Sequence, residues 1–197
     1  MFTQGFGFAS KPNKQVFTVI PVGMLHLPSG RLVAGDAIAT LELASLSRTV
    51  APGIYSVDAS IATVSADESR MAGVRIVFTQ EPVVSWEVAS GGSLAASGFT
   101  GPTGIFIDAQ LLPALEQYIA DAASPDEWYY DPPKIEGKRW EVACFAPDDD
   151  RPETCVIFET NSYNSDGPYL TYWGLAANGT PAMLVVDVNL VASPTHA

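Results

Sequence analysis

The sequence predicts a mainly β fold, a β-sandwich or a curved antiparallel sheet, with one short α-helix near residues 109–122. Three observations predict it. Apolar and polar residues alternate over short runs, the pattern of a strand with one buried face. Turn-forming Pro, Gly and Asn punctuate those runs. Only one segment spaces its apolar residues at helical intervals.

Gln15 to Ile20 reads as a short strand, followed by Pro21 and a second apolar piece that stops at Leu27-Pro28-Ser29-Gly30-Arg31. After the turn Pro52-Gly53, Ile54 to Ala62 places Tyr55, Val57, Ala59 and Ile61 on one face and Ser56, Asp58 and Ser60 on the other. Met71 to Thr79 and Val83 to Ala89 read as strands of the same kind, separated by Gln80-Glu81-Pro82. Ser90 to Gly104 is rich in Gly, Ser and Ala and reads as a flexible loop. Its glycines lack the Lys-Ser/Thr ending of a phosphate-binding loop.

Leu111, Leu112, Leu115, Tyr118 and Ile119 share one stripe of the predicted helix, and the carboxylate of Asp108 is placed to accept the unpaired N–H groups of its first turn. Trp128 to Lys138, rich in Pro, Tyr and acid, reads as a loop covering a sheet edge. Arg139 to Phe145 and Thr154 to Glu159 read as paired strands around Pro147-Asp148-Asp149-Asp150. Tyr169 to Leu175 and Met183 to Val188 flank Asn178-Gly179, the signature of a two-residue type I′ hairpin turn.

The 197 residues fit one domain over 1–197 with flexible ends at 1–14 and 192–197. A domain of this size buries roughly 70% of the surface its unfolded chain exposes. With 47% hydrophobic and 16% charged residues the composition is that of a folded globular protein. Apolar runs are broken by Gly, Pro or charge well short of the ~18 residues of a membrane helix. Met1 to Ser10 carry no basic residue and no leucine-rich run, so a secretory signal is not expected and the expected compartment is the cytoplasm. Cys144 and Cys155 can be opposed across a hairpin, but two cysteines do not make a disulfide scaffold, and a reduced, structural role is the expectation.

The net charge of −12 is unevenly placed. Between Glu116 and Asp166 thirteen acidic side chains face only Lys134, Lys138, Arg139 and Arg151, a local balance of −9, whereas residues 1–50 carry +2. Such a field repels phosphate backbones and anionic lipid headgroups, which argues against nucleic-acid and membrane partners. It attracts a basic protein.

From Leu27-Pro-Ser-Gly-Arg-Leu-Val-Ala-Gly-Asp36 onward the chain resembles a bacterial family of unknown function, the domain of unknown function numbered 4241. The likeness continues through the blocks at 50–57, 71–78, 82–87, 104–109, 169–175 and 184–187, in family order. Gly35 and Ala37 stand where relatives often carry Cys and Pro, and Asn161 to Gly167 replaces a more Gly/Trp-rich approach to Tyr172-Trp173-Gly174. The resemblance implies a shared fold and brings no reaction, substrate or cofactor with it.

Catalytic chemistry finds few candidates. Only His26 and His196 are present, and His26 lies between Leu25 and Leu27, so it is expected on the opposite strand face as a surface or structural histidine rather than a base. The scattered Cys and His residues do not form a zinc motif, and Asp148, Asp149 and Asp150 lack the alternating ligands and glycine of a calcium loop. No metal or cofactor is expected. A carboxylate-based hydrolase would draw on Asp36, Asp108, Asp187 and Glu87 with Tyr172 and Trp173, in a pocket near Asp36, Asp108 and Trp173. Against it, Asp36 and Asp108 serve equally well as turn or cap residues, and Trp86 and Trp173 are expected in the core.

The better-motivated expectation is a non-enzymatic protein-binding module. Asp126, Glu127, Trp128, Tyr129, Tyr130, Asp131, Asp148, Asp149, Asp150 and Tyr163, with Trp140, combine the acids that steer a basic partner with the rings that anchor one. One version is an immunity or antitoxin protein whose carboxylates mimic phosphate in the cationic site of a nuclease-like toxin. The sequence leaves the oligomeric state open.

Overall fold

Among the described residues twelve strands divide between two antiparallel sheets, and in a computed structural model the sheets lie face to face over a shared apolar core. The structure describes residues 7–8, 15–36, 45–63, 69–91, 103–121, 142–146, 154–159 and 169–188.

The larger sheet contains β1 (Gly7–Phe8), β2 (Gln15–Leu27), β5 (Gly53–Thr63), β6 (Ser69–Val77), β12 (Pro181–Asp187), β11 (Thr171–Leu175) and β7 (Ser85–Val88), in that spatial order. The smaller sheet runs β4 (Ser45–Thr49), β3 (Arg31–Asp36), β8 (Thr103–Asp108), β10 (Cys155–Glu159) and β9 (Val142–Phe145). Leu25, Val57, Val74, Trp173 and Leu184 from the first sheet meet Leu32, Phe106, Val156 and Phe158 from the second. The fold is therefore mainly β, a sandwich, as the alternating pattern predicts.

The second face of the smaller sheet is also covered. Val33, Ile105, Ile107, Cys155 and Ile157 pack against Leu111 and Leu115, flanked by Leu112, Tyr118 and Ile119. The predicted helical stripe is the surface that docks there. The helix begins as a 3-10 turn, Ala109–Leu111, and continues as α1, Leu112–Asp121. Pro113 falls in its first turn, where a missing N–H costs no helical hydrogen bond.

Three sequence expectations are corrected. Pro21 does not break the first strand: β2 runs 13 residues, and the register against β5 shifts between Pro21 and Gly23, so the residue without a donor sits at a bulge. The hairpin after β11 does not use a two-residue turn. Gly179 N–H donates to Ala176 C=O (2.9 Å) and Ala176 N–H to Thr180 C=O (2.9 Å), enclosing three loop residues with Gly179 at φ +80°. That is the longer hairpin loop closed by a glycine bulge, and Asn178 Oδ1 secures it by accepting from Thr180 N–H (3.0 Å). Finally, Arg31–Asp36, Ser45–Thr49 and Thr103–Asp108 are strands that the alternation does not reveal.

β9 and β10 pair antiparallel as expected, with Cys144 opposite Val156 and Cys155 opposite Phe145. Both cysteines are buried and free. Their registers differ by one residue, so Cys144 points into the core between the sheets and Cys155 towards the helix. Burial, reinforced by the nearby Cys144, pushes the Cys155 thiol well above its ordinary range.

Candidate interaction surface

Asp108 ends β8 and is fully buried. Its Oδ1 accepts from Gln110 N–H (2.9 Å), the expected helix cap, and from Ser29 Oγ–H (2.6 Å), while Oδ2 accepts from Ser29 N–H (2.9 Å). One carboxylate thus pins the helix start to the 28–30 turn. Gly30 makes that turn possible: it has φ +68°, and a Cβ there would lie 2.1 Å from Val50 O.

The other proposed carboxylates are not gathered around it. Along the β3–β8 ladder Leu32 opposes Asp108, whereas half-buried Asp36 opposes Gly104 at the far end, four residues or about 13 Å away. Asp187 is on the other sheet, half-buried on its outward face beside Tyr172. Trp173 is completely buried between the sheets, with Phe78 5.9 Å away in a tilted contact. Its indole Nε1 and the inward Thr171 Oγ1 are buried without a hydrogen-bond partner. Asp36 and Asp108 thus stand at opposite ends of the β3–β8 ladder, while Trp173 belongs to the facing sheet.

Glu87 is the inward exception on β7. It stands opposite Trp173 and turns towards the smaller sheet, where its two oxygens take Arg48 Nε–H (2.5 Å) and Nη2–H (2.7 Å). The Arg48 guanidinium holds the Glu87 carboxyl below its ordinary value. Ser47 N–H donates to Ser90 C=O (2.8 Å), and their hydroxyls share a further hydrogen bond (3.0 Å), so β4 and the end of β7 are clasped across one side of the sandwich.

This arrangement inverts the usual binary pattern of β7. The charged residue faces inward, and the apolar side chains face out: Trp86 is 55% exposed and Val88 53%, with Val84 just before the strand at 63%. The expectation that Trp86 belongs to the core is corrected here. An inward charge is one of the devices that specify an edge strand, but it leaves a large ring on the outer face. The sequence signal was present in the alternation of Val84, Trp86 and Val88 with Ser85 and Glu87. What it lacked was the sign of the face.

The register extends that outer face over six strands. One row runs Met24, Ser56, Val77, Met183, Gly174 and Trp86. The next runs Pro21, Asp58, Arg75, Val185, Tyr172 and Val88. At ~4.8 Å per strand the rows are about 24 Å wide. A Cβ on Gly174 would meet Met183 Cγ at 2.9 Å and Trp86 Cζ3 at 3.0 Å, so the absent side chain is what lets the indole lie down on β11. Arg75 pairs with Asp58 through Nε (2.9 Å) and Nη2 (2.7 Å) on one oxygen. Burial, and secondly the Asp187 charge, raise the Tyr172 hydroxyl above its ordinary value. Trp, Tyr and Arg side by side over an apolar floor are the residue types that dominate binding energy at protein interfaces.

His26 is half-buried between fully buried Leu25 and Leu27. Among the described residues no three His, Cys, Asp or Glu side chains converge to hold a metal ion, and no helix is long and apolar enough to cross a membrane. The acidic, aromatic residues Asp126, Glu127, Trp128, Tyr129, Tyr130, Asp131, Trp140, Asp148, Asp149, Asp150 and Tyr163, and also His196, lie outside the described residues.

No curated protein and no solved structure matches the chain. The family described as protein of unknown function (DUF4241) matches residues 25–186, from the last residues of β2 almost to the end of β12. That match takes in most of both sheets and the helix packed on the smaller one, and the chain belongs to the DUF4241 family.

Proposed function

We propose that the protein is a non-enzymatic binding module of the bacterial cytoplasm whose partner is a basic protein, in an immunity or antitoxin role against a nuclease-like toxin. The observation that carries this reading is the outward presentation of Trp86 and Val88, each more than half exposed, beside Tyr172 on a broad sheet face. Large rings left in water cost solubility and are kept where they anchor a partner. The net charge of −12 supplies the other half of the argument, because it steers a cationic surface and suppresses acidic competitors.

The test is capture of a stoichiometric basic partner by the full chain, followed by association kinetics. Reversing Asp148, Asp149 and Asp150 to Lys is expected to slow association and flatten its salt dependence. Trp86→Ala is expected to speed dissociation. Kinetics unchanged in both variants would remove the proposal.

A further inference from the structure

We infer that β7 receives an extended, basic segment of the partner as an added strand along its open edge. The inference rests on the binding reading above and specifies where and how the partner docks.

Hydrogen bonding along β7 fixes which backbone groups are available. Ala89 N–H donates to Thr171 C=O (2.8 Å), and Ala89 opposes Thr171 in continuation of the β7–β11 register. Alternation in an antiparallel ladder then turns Glu87 to β11 and directs the N–H and C=O of Trp86 and Val88 away from it. Ser90 belongs to the same outward set, and its C=O is taken by Ser47 N–H (2.8 Å), so the outward row is geometrically able to accept a neighbour. Among the described residues no strand pairs with the Trp86–Val88 side of β7, which ends the sheet.

The side chains agree with the backbone. β7 is four residues long and turns its one charge, Glu87, inward against Arg48, two features that limit edge pairing. Its outward face nevertheless carries Trp86 and Val88, with neither charge nor proline on that face to oppose an incoming strand. A strand added here places alternate side chains directly beside Trp86 and Val88, while main-chain hydrogen bonds supply affinity without sequence demand. Charge decides the occupant. Two copies joined edge to edge would bring together two chains of net charge −12, whereas a lysine-bearing strand is drawn by the long-range field of that net charge.

The probe is a capped eight-residue peptide of alternating Lys and Val, with its Glu/Val counterpart as control, added to the full chain while amide hydrogen exchange and chemical shifts are followed. The Lys/Val peptide is expected to slow exchange at Trp86 and Val88 by at least about tenfold, and the Glu/Val peptide to leave both unchanged. Val88→Pro removes an outward donor without removing a hydrogen bond to β11, and is expected to weaken peptide binding about tenfold. Protection retained at Ala89 and Glu87 shows that this variant keeps its β7–β11 ladder. For a variant that loses it, N-methylation of the paired peptide residue replaces the substitution and is expected to weaken binding equally.

Peptide binding with shifts at Tyr172 and Arg75 but no protection at Trp86 and Val88 overturns strand addition while leaving the binding reading intact. No binding of either peptide overturns the inference. Protection of Trp86 and Val88 in the protein alone, rising with concentration alongside a dimer in sedimentation, also overturns it by making the occupant a second copy.

Discussion

Replacing Asp108 by Ala removes three hydrogen bonds from one buried carboxylate, and their separate contributions can be estimated. Loss of the cap on Gln110 N–H costs about 1 kcal/mol. The two bonds from Ser29 are charge-assisted and partly buried, about 1.5 kcal/mol each, and the truncation also leaves the Ser29 N–H without its acceptor. The expected destabilisation is about 3–4 kcal/mol, which for a chain of this size lowers Tm by roughly 10 °C. Ser29→Ala removes the hydroxyl bond to Asp108 and the longer, exposed one that Ser29 Oγ accepts from Arg31 N–H (3.2 Å), and is expected to cost about 1.5 kcal/mol alone, most of it from the first. In the Asp108→Ala background that cost falls below about 0.5 kcal/mol, giving a coupling near 1 kcal/mol. Urea unfolding of the four proteins of the cycle, followed by tryptophan fluorescence, measures each term. A loss under about 1 kcal/mol for Asp108→Ala, or additive single substitutions, would refute the view that this carboxylate pins the helix to the 28–30 turn.

Other substitutions probe the remaining contacts. Trp86→Ala is expected to change stability by under about 1 kcal/mol, because more than half of the side chain is already in water, yet to cost a partner complex 2 kcal/mol or more. A large loss in thermal stability with unchanged affinity would place Trp86 in the fold rather than the interface. Glu87→Gln tests the clasp by its pH dependence. The folded carboxyl titrates below its ordinary value of 4.5, so its contribution is present above that value and disappears as pH falls through the lower, folded one. Melts of wild type and Glu87→Gln should therefore differ at pH 7 and converge on acidification. A gap that is constant with pH would falsify the pairing. Gly30→Ala and Gly179→Ala separate steric from conformational cost. Both have positive φ, about 1–2 kcal/mol for a side chain, but only at Gly30 does the new Cβ strike backbone, 2.1 Å from Val50 O, while nothing lies within 4 Å at Gly179. Denaturant titration should rank Gly30→Ala clearly below Gly179→Ala, and equal losses would contradict the close approach at Gly30.

Much of the larger sheet was legible because one face of its strands is buried and the other is not. Ile54 to Ala62 and the hairpin around Asn178-Gly179 carry that contrast in their residues, and the helix stripe with its Asp108 cap carries the 3.6-residue equivalent. In the smaller sheet the β9–β10 pair was legible, but β8 was not, for the complementary reason. Thr103–Asp108 is buried at every position, between the core on one side and the helix on the other, so its sequence has no alternation to read. Pro21 misled because local chemistry predicts a break, whereas a register shift lets the strand continue.

The candidate surface divides in the same way. Sequence by itself determined the β class, the capped helix after Asp108, the negative field and the family, since periodicity, charge and ordered blocks are properties of the chain. It also supplied the apolar alternation of β7. Only the tertiary structure decided that Trp86 and Val88 face water and Glu87 faces Arg48, and that Asp36, Asp108 and Asp187 stand apart. A period of two says which side chains share a face. Which face is buried depends on where the second sheet packs, and that is fixed by contacts between residues distant in the chain.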